Sequence, residues 1–151
     1  VVSAQEMYQA SMGQVVECDI FMAAAAVADF RPVTIADKKM KKTGRDTMTI
    51  DMRKNPDIVA AVAALENKPF VLGFAAETHD VIAYARDKMQ RKKLNMIVAN
   101  DVSDEAIGFN TDHNKVTILT AEKEYPLLEA SKFQLAQTIV QMVAEQLMVN
   151  K

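Results

Sequence analysis

The chain has 151 residues, half of them hydrophobic and a quarter charged, with a formal net charge of −2. That suffices for one ordinary domain with a buried core and excludes a disordered chain. The charge balance gives no general attraction to nucleic acid or to an anionic membrane, so any affinity for phosphate has to come from local clusters of lysine.

In chain order, Ala4 to Val16 predicts a helix weakened near its end by Gly13. Asp19 to Ala26 is a continuous apolar run, the pattern of a strand buried on both faces. Asp29 to Arg45 is polar, carries Pro32 and Gly44, and reads as a long loop of the kind that is usually functional or mobile. Thr47 to Met52 alternates like a strand. Asn55-Pro56-Asp57 predicts a helix start, with Asn55 as N-cap, Pro56 at the first helical position and Asp57 at the positive helix end.

Phe70 to Ala75 predicts another apolar strand, Asp80 to Lys93 a helix, and Met96 to Ala99 a buried strand ending at Asn100-Asp101. Val116 to Leu119 and the region of Tyr125 suggest a small antiparallel ribbon. Ser131-Lys132-Phe133-Gln134 has capping-box form and opens a helix to about Met148, with Leu135, Ile139, Met142 and Val143 as its apolar stripe. This alternation predicts an α/β fold: a parallel sheet with helices on both faces and a small antiparallel insertion near the C-terminus. Ligands of such sheets bind beyond the carboxyl ends of the strands, where Asp29, Phe74 and Asn100 are expected.

The chemistry-bearing residues admit two readings each. Ala23-Ala24-Ala25-Ala26 allows backbone to approach a flat ligand, Asp29 closes that run, and Lys38, Lys39, Lys41 and Lys42 follow it. Together they outline a nucleoside pocket beside a polyphosphate, whereas the lysines alone would read as a solvated loop. Lys88 and Lys92 stand four apart on one helix face, mildly unfavourable unless an anion lies between them, and otherwise an exposed polar face. Arg53-Lys54-Asn55-Pro56 precedes a helix N-terminus, an anion site or simply a cap. Phe74 either stacks on a base or fills the core, and Glu77 is either an oxygen donor to magnesium or a solvated acid. One cysteine, Cys18, excludes an internal disulfide framework and suits a reducing cytoplasm. His79 and His113 lie far apart with no cysteine cluster to join. The glycine fingerprints of dinucleotide oxidoreductases, P-loop ATPases and α/β-hydrolases do not occur.

In order along the chain, AAVADFRP, KKMKK, RKNPDIVA, VLGFAAET, ARDKMQRKK and IVANDVS resemble bacterial phosphopantothenoylcysteine synthetase, the phosphopantothenate–cysteine ligase. In many bacteria this is the carboxyl-terminal half of a bifunctional coenzyme A biosynthesis protein. The resemblance implies a Rossmann-like α/β domain, a homodimer, and a cytoplasmic enzyme that activates 4′-phosphopantothenate with CTP and Mg2+ before coupling it to L-cysteine. FMN is implied only where the phosphopantothenoylcysteine decarboxylase half is fused upstream. By the same resemblance Ala23, Ala24 and Ala25 border the cytidine, and Asp29 contacts the nucleotide. Lys39 is the functionally important lysine, with Lys41 and Lys42 completing its motif. Arg53, Lys54, Asn55, Pro56 and Phe74 belong to the CTP site, as do Lys88 and Lys92. The family's glycine-rich first strand–turn–helix, with an asparagine that handles the acyl-cytidylate, is expected upstream of Val1, so that residues 1–151 form the later portion of one ligase domain. The alternative expectation is a non-catalytic nucleotide-binding or dimer-scaffold fragment.

Overall fold

A computed structural model describes residues 1–41, 44, 46–103 and 111–149. Lys42, Arg45 and the stretch 104–110 lie outside the described residues, and with them one lysine of the predicted cluster and part of the predicted insertion.

The central sheet has five strands: β1 (Ile20–Ala23), β4 (Phe70–Glu77), β5 (Met96–Asp101), β7 (Val116–Thr120) and β8 (Glu124–Pro126), in that spatial order. The first three run parallel and the last two antiparallel. The predicted ribbon is thus antiparallel, as expected, but it extends the main sheet instead of standing apart from it. Two short antiparallel pairs complete the strands: β2 (Phe30–Pro32) with β3 (Met52–Lys54), and β6 (His113–Asn114) with β9 (Ala130–Ser131).

Side-chain alternation divides the core in two. On one face Val71, Ala75, Ile97, Ala99 and Leu119 pack against α1 (Ala4–Gln14), α2 (Ile58–Ala63) and α3 (Val81–Arg91), which contribute Met12, Val62, Ala63, Ala85 and Met89. On the other face Phe70, Leu72, Met96, Val98, Val116 and Ile118 pack against Leu135, Ile139 and Val143 of α4 (Lys132–Val149). The expected capping box forms: the Gln134 N–H donates to Ser131 Oγ at 3.2 Å, and the Ser131 N–H donates to Gln134 Oε1 at 3.2 Å. Gly73 has a packing reason, because a Cβ there would lie 2.9 Å from Leu94 Cδ1.

Three local expectations are corrected. The run from Asp19 to Ala26 yields only the four-residue β1, and it is not buried on both faces: Ile20 and Met22 are exposed while Phe21 and Ala23 are half-buried. In the described sheet β1 pairs only with β4, and Ile20 and Met22, which share the α4 face by register with Phe70 and Leu72, lie outside the core cluster that α4 buries. The loop after Asp29 contains β2, and its partner β3 begins only at Met52, so Thr47 to Ile50 are not in a strand. The N-cap of α2 is Asp57, whose carboxylate accepts from the Ala60 N–H at 3.1 Å; Asn55 is used elsewhere.

Candidate functional site

The carboxyl ends of β1 and β4 point the chain toward the same edge. From β1 the backbone leaves through Ala24 and Ala25, both exposed, to Asp29, also exposed. Asn55 clips this segment in place. Its backbone N–H donates to the Asp29 carbonyl at 2.8 Å, its Nδ2 donates to the Ala28 carbonyl at 2.7 Å, and its Oδ1 accepts from Arg31 at 2.6 Å. An asparagine serves both ends of this clip because its amide carries donor and acceptor together. Asn55-Pro56 thereby joins the segment after β1 to the start of α2.

The second half of the site comes from α3. Lys88 reaches back over the sheet and donates to the Phe74 carbonyl at 3.0 Å. Lys92, at the helix C-cap, pairs with Asp57 at 2.7 Å, tying α3 to the α2 N-terminus. Burial lowers the Lys88 ammonium below the usual lysine range and the like charge of Lys92 lowers it further, while Glu77, Asp29 and Asp57 oppose that shift. The Asp57 carboxyl is raised by burial, but the Lys92 hydrogen bond, the Ala60 N–H and the charges of Lys92 and Arg91 outweigh this and leave it below its ordinary value. Asp29, Asp57, Glu77, Lys88 and Lys92 therefore share one electrostatic neighbourhood, with a partly desolvated cation inside it.

The remaining predicted residues are distributed less tightly. Arg53 and Lys54 are exposed on β3, opposite Arg31 and Phe30. Phe74 is 36% exposed, on the α4 face of β4. Lys39 and Lys41 are exposed in irregular backbone and make no hydrogen bond or ion pair among the described residues. The structure thus brings Asp29, Asn55, Lys88 and Lys92 together, while Lys39 and Lys41 lie in the polar loop that follows β2. Arg31 as the partner of Asn55 and Asp57 as the partner of Lys92 carry no local sequence signal, because both contacts are made between distant segments.

A mostly parallel sheet covered by helices on both faces, with polar side chains gathered at its strand ends, defines a protein of the Rossmann-like α/β class. Within that class, residues 1–147 match the DNA/pantothenate metabolism flavoprotein C-terminal domain, and the chain belongs to this family. It is 53% identical over 143 residues to the Coenzyme A biosynthesis bifunctional protein CoaBC of Vibrio vulnificus strain CMCP6, covering 93% of this chain and 36% of the relative. The same-named protein of Escherichia coli K12 is 49% identical over 132 residues, covering 84% of this chain and 32% of the relative. The chain therefore spans about a third of the length of these relatives. A crystal structure of the C-terminal domain of CoaBC superposes with a TM-score of 0.78 at 30% identity, covering 98% of this chain and 64% of that one. The DNA/pantothenate metabolism flavoprotein of Streptococcus pneumoniae shares the fold at a TM-score of 0.75 and 15% identity, covering 96% of this chain and 68% of that one.

Proposed function

We propose that this chain carries the nucleotide site of a CTP-dependent phosphopantothenate–cysteine ligase acting in coenzyme A biosynthesis. The observation that carries the reading is the Asn55 clip, which holds the Asp29 segment beside the partly desolvated Lys88 and the paired Lys92. A lysine that burial has made costly to charge gains most from an anion, and a triphosphate supplies several negative charges.

In the reaction proposed, a carboxylate oxygen of 4′-phosphopantothenate attacks the α-phosphorus of CTP. The bond from that phosphorus to the bridging oxygen breaks, and pyrophosphate leaves. The amine of L-cysteine then attacks the acyl carbon of the acyl-cytidylate, CMP departs with the bridging oxygen, and the nitrogen loses a proton to give the amide. The chain's part in this is positioning and charge neutralisation. Lys88 and Lys92 face the phosphates, Ala23, Ala24, Ala25 and Asp29 border the nucleoside, Arg53, Lys54, Asn55 and Pro56 form its flank, and Lys39 closes from the loop over the reacting phosphate. Magnesium would accompany the triphosphate and spread its charge. Glu77, a half-buried acid whose charge is felt at Lys88, has the hard oxygen donors that this ion takes. A fused phosphopantothenoylcysteine decarboxylase and a homodimer, both implied by the family resemblance, belong to the same proposal.

The test is turnover in the complete protein with CTP, 4′-phosphopantothenate and cysteine. Lys39→Gln should lower kcat by about a hundredfold, the size of one lost transition-state contact to developing charge, with the melting temperature unchanged. Near-normal turnover in that variant would sink the role of Lys39. Failure of CTP to support any turnover would sink the reading as a whole.

A further inference from the structure

On the α4 face of the sheet, register sets Asn100 of β5 between Ala76 of β4 and Val116 of β7. Val116 is buried and Ala76 exposed, so Asn100 lies where the covered part of this face gives way to the open part. Its Oδ1 is buried and has no hydrogen-bond partner among the described residues. Such an acceptor is costly to leave unmet, and an orphan of this kind in a folded protein calls for an explanation.

The open part of the same face supplies one. Alternation along β4 puts Phe74 and Ala76 on it, and pairing with β1 adds Met22 and Ile20, all of them exposed. Phe74 pairs with Val98, two residues before Asn100, so the ring's residue and the amide's residue are about 8 Å apart on the diagonal of an ordinary sheet. The result is a flat apolar floor with a single unmet acceptor at its rim. A planar heterocycle bearing an N–H donor at its edge matches both features: its face lies on apolar carbon, and its donor meets the oxygen.

We infer that Asn100 accepts a hydrogen bond from the exocyclic amine of the nucleobase seated over Phe74 and Ala76. The inference rests on the nucleotide site proposed above, and it makes Asn100 a base-selecting residue. Lys39, Lys88 and Lys92 act on phosphate and are blind to the base.

The experiment compares CTP with the same triphosphate lacking the 4-amino group (the 2-pyrimidinone ribonucleotide), each titrated with magnesium into the complete protein and its variants. The unaltered protein should prefer CTP by about tenfold, the size of one hydrogen bond to a buried acceptor. Asn100→Leu should bind the two nucleotides equally, and Asn100→Asp, which keeps an acceptor, should keep the preference. Circular dichroism melts establish that both variants fold, and the retained binding of Asn100→Asp separates a lost contact from a lost fold. CTP binding with the same preference in Asn100→Leu would overturn the role of Asn100 and leave the nucleotide site standing. No binding of either nucleotide to the complete, unaltered protein would overturn both.

Discussion

The sheet interior and the arm between Ala24 and Met52 are built on opposite terms. In β4, β5 and β7 most side chains are buried between helices on two faces, and Val71, Leu72, Met96, Ile97, Val98, Ile118 and Leu119 are fully enclosed. In the arm almost every described residue is exposed, including Phe30, Val33, Ile35, Met40, Met48 and Ile50. The sheet holds the fold without reference to any ligand. Among the described residues the arm is held by a three-residue strand pair, the Val33 N–H donating to the Asp51 carbonyl, and the Asn55 clip, so its order near the site depends on a few polar contacts that substitution can remove one at a time.

The comparison is broken most severely from the sheet side. Ile97→Ala, in the centre of the core between β4 and β7, should cost about 2–5 kcal/mol in denaturant unfolding. A change of comparable size anywhere in the arm would mean that the arm is part of the cooperative core. Asn55→Ala comes next. It removes the Arg31 and Ala28 hydrogen bonds together and should cost about 1–2 kcal/mol, with faster amide exchange confined to residues around Ala28 to Arg31. Exchange that rises equally in β4 would show the two regions to be one unit.

A pH series sharpens the same contrast at the site. Lys88 has its ammonium lowered by burial, so the charged form that would bind a phosphate is lost below the ordinary lysine range. Affinity for a nucleoside triphosphate should therefore fall on the alkaline side earlier than for an exposed lysine, and Lys88→Arg should move that fall to higher pH. The smallest effect is expected at the Asp57–Lys92 pair, which is partly solvated. Asp57→Asn should cost about 0–1 kcal/mol at neutral pH. Because the folded carboxyl lies below its ordinary value, its contribution is present above that value and lost as pH falls through the folded one. The acid limb of the stability curve should therefore be shallower in Asp57→Asn than in the unaltered protein.

The same contrast explains what the sequence disclosed. The continuous apolar runs of β4 and β5 and the Ser131–Gln134 box read correctly because each is a local pattern answered by local structure. β1 read as buried on both faces because an apolar run reports hydrophobicity and not its place in the strand order. β2 escaped notice because three residues ending in proline carry no period. Asn55 and Asp57 are both good caps on paper; Asp57 took that role because distant contacts to Ala28 and Asp29 claim Asn55. The grouping of Asp29, Lys88 and Lys92 was legible through the family resemblance, whereas the pairing of Lys92 with Asp57 depends on the packing of α3 against α2.

The central claim is a nucleotide seat at the carboxyl ends of β1 and β4, and calorimetric titration with CTP and with ATP, both with magnesium, tests it most directly. In the complete protein CTP should bind more tightly than ATP, and Lys88→Ala and Lys39→Gln should each weaken CTP by about tenfold or more. CTP heats that are identical in the unaltered protein and in both variants, or absent from all three, would contradict such a seat.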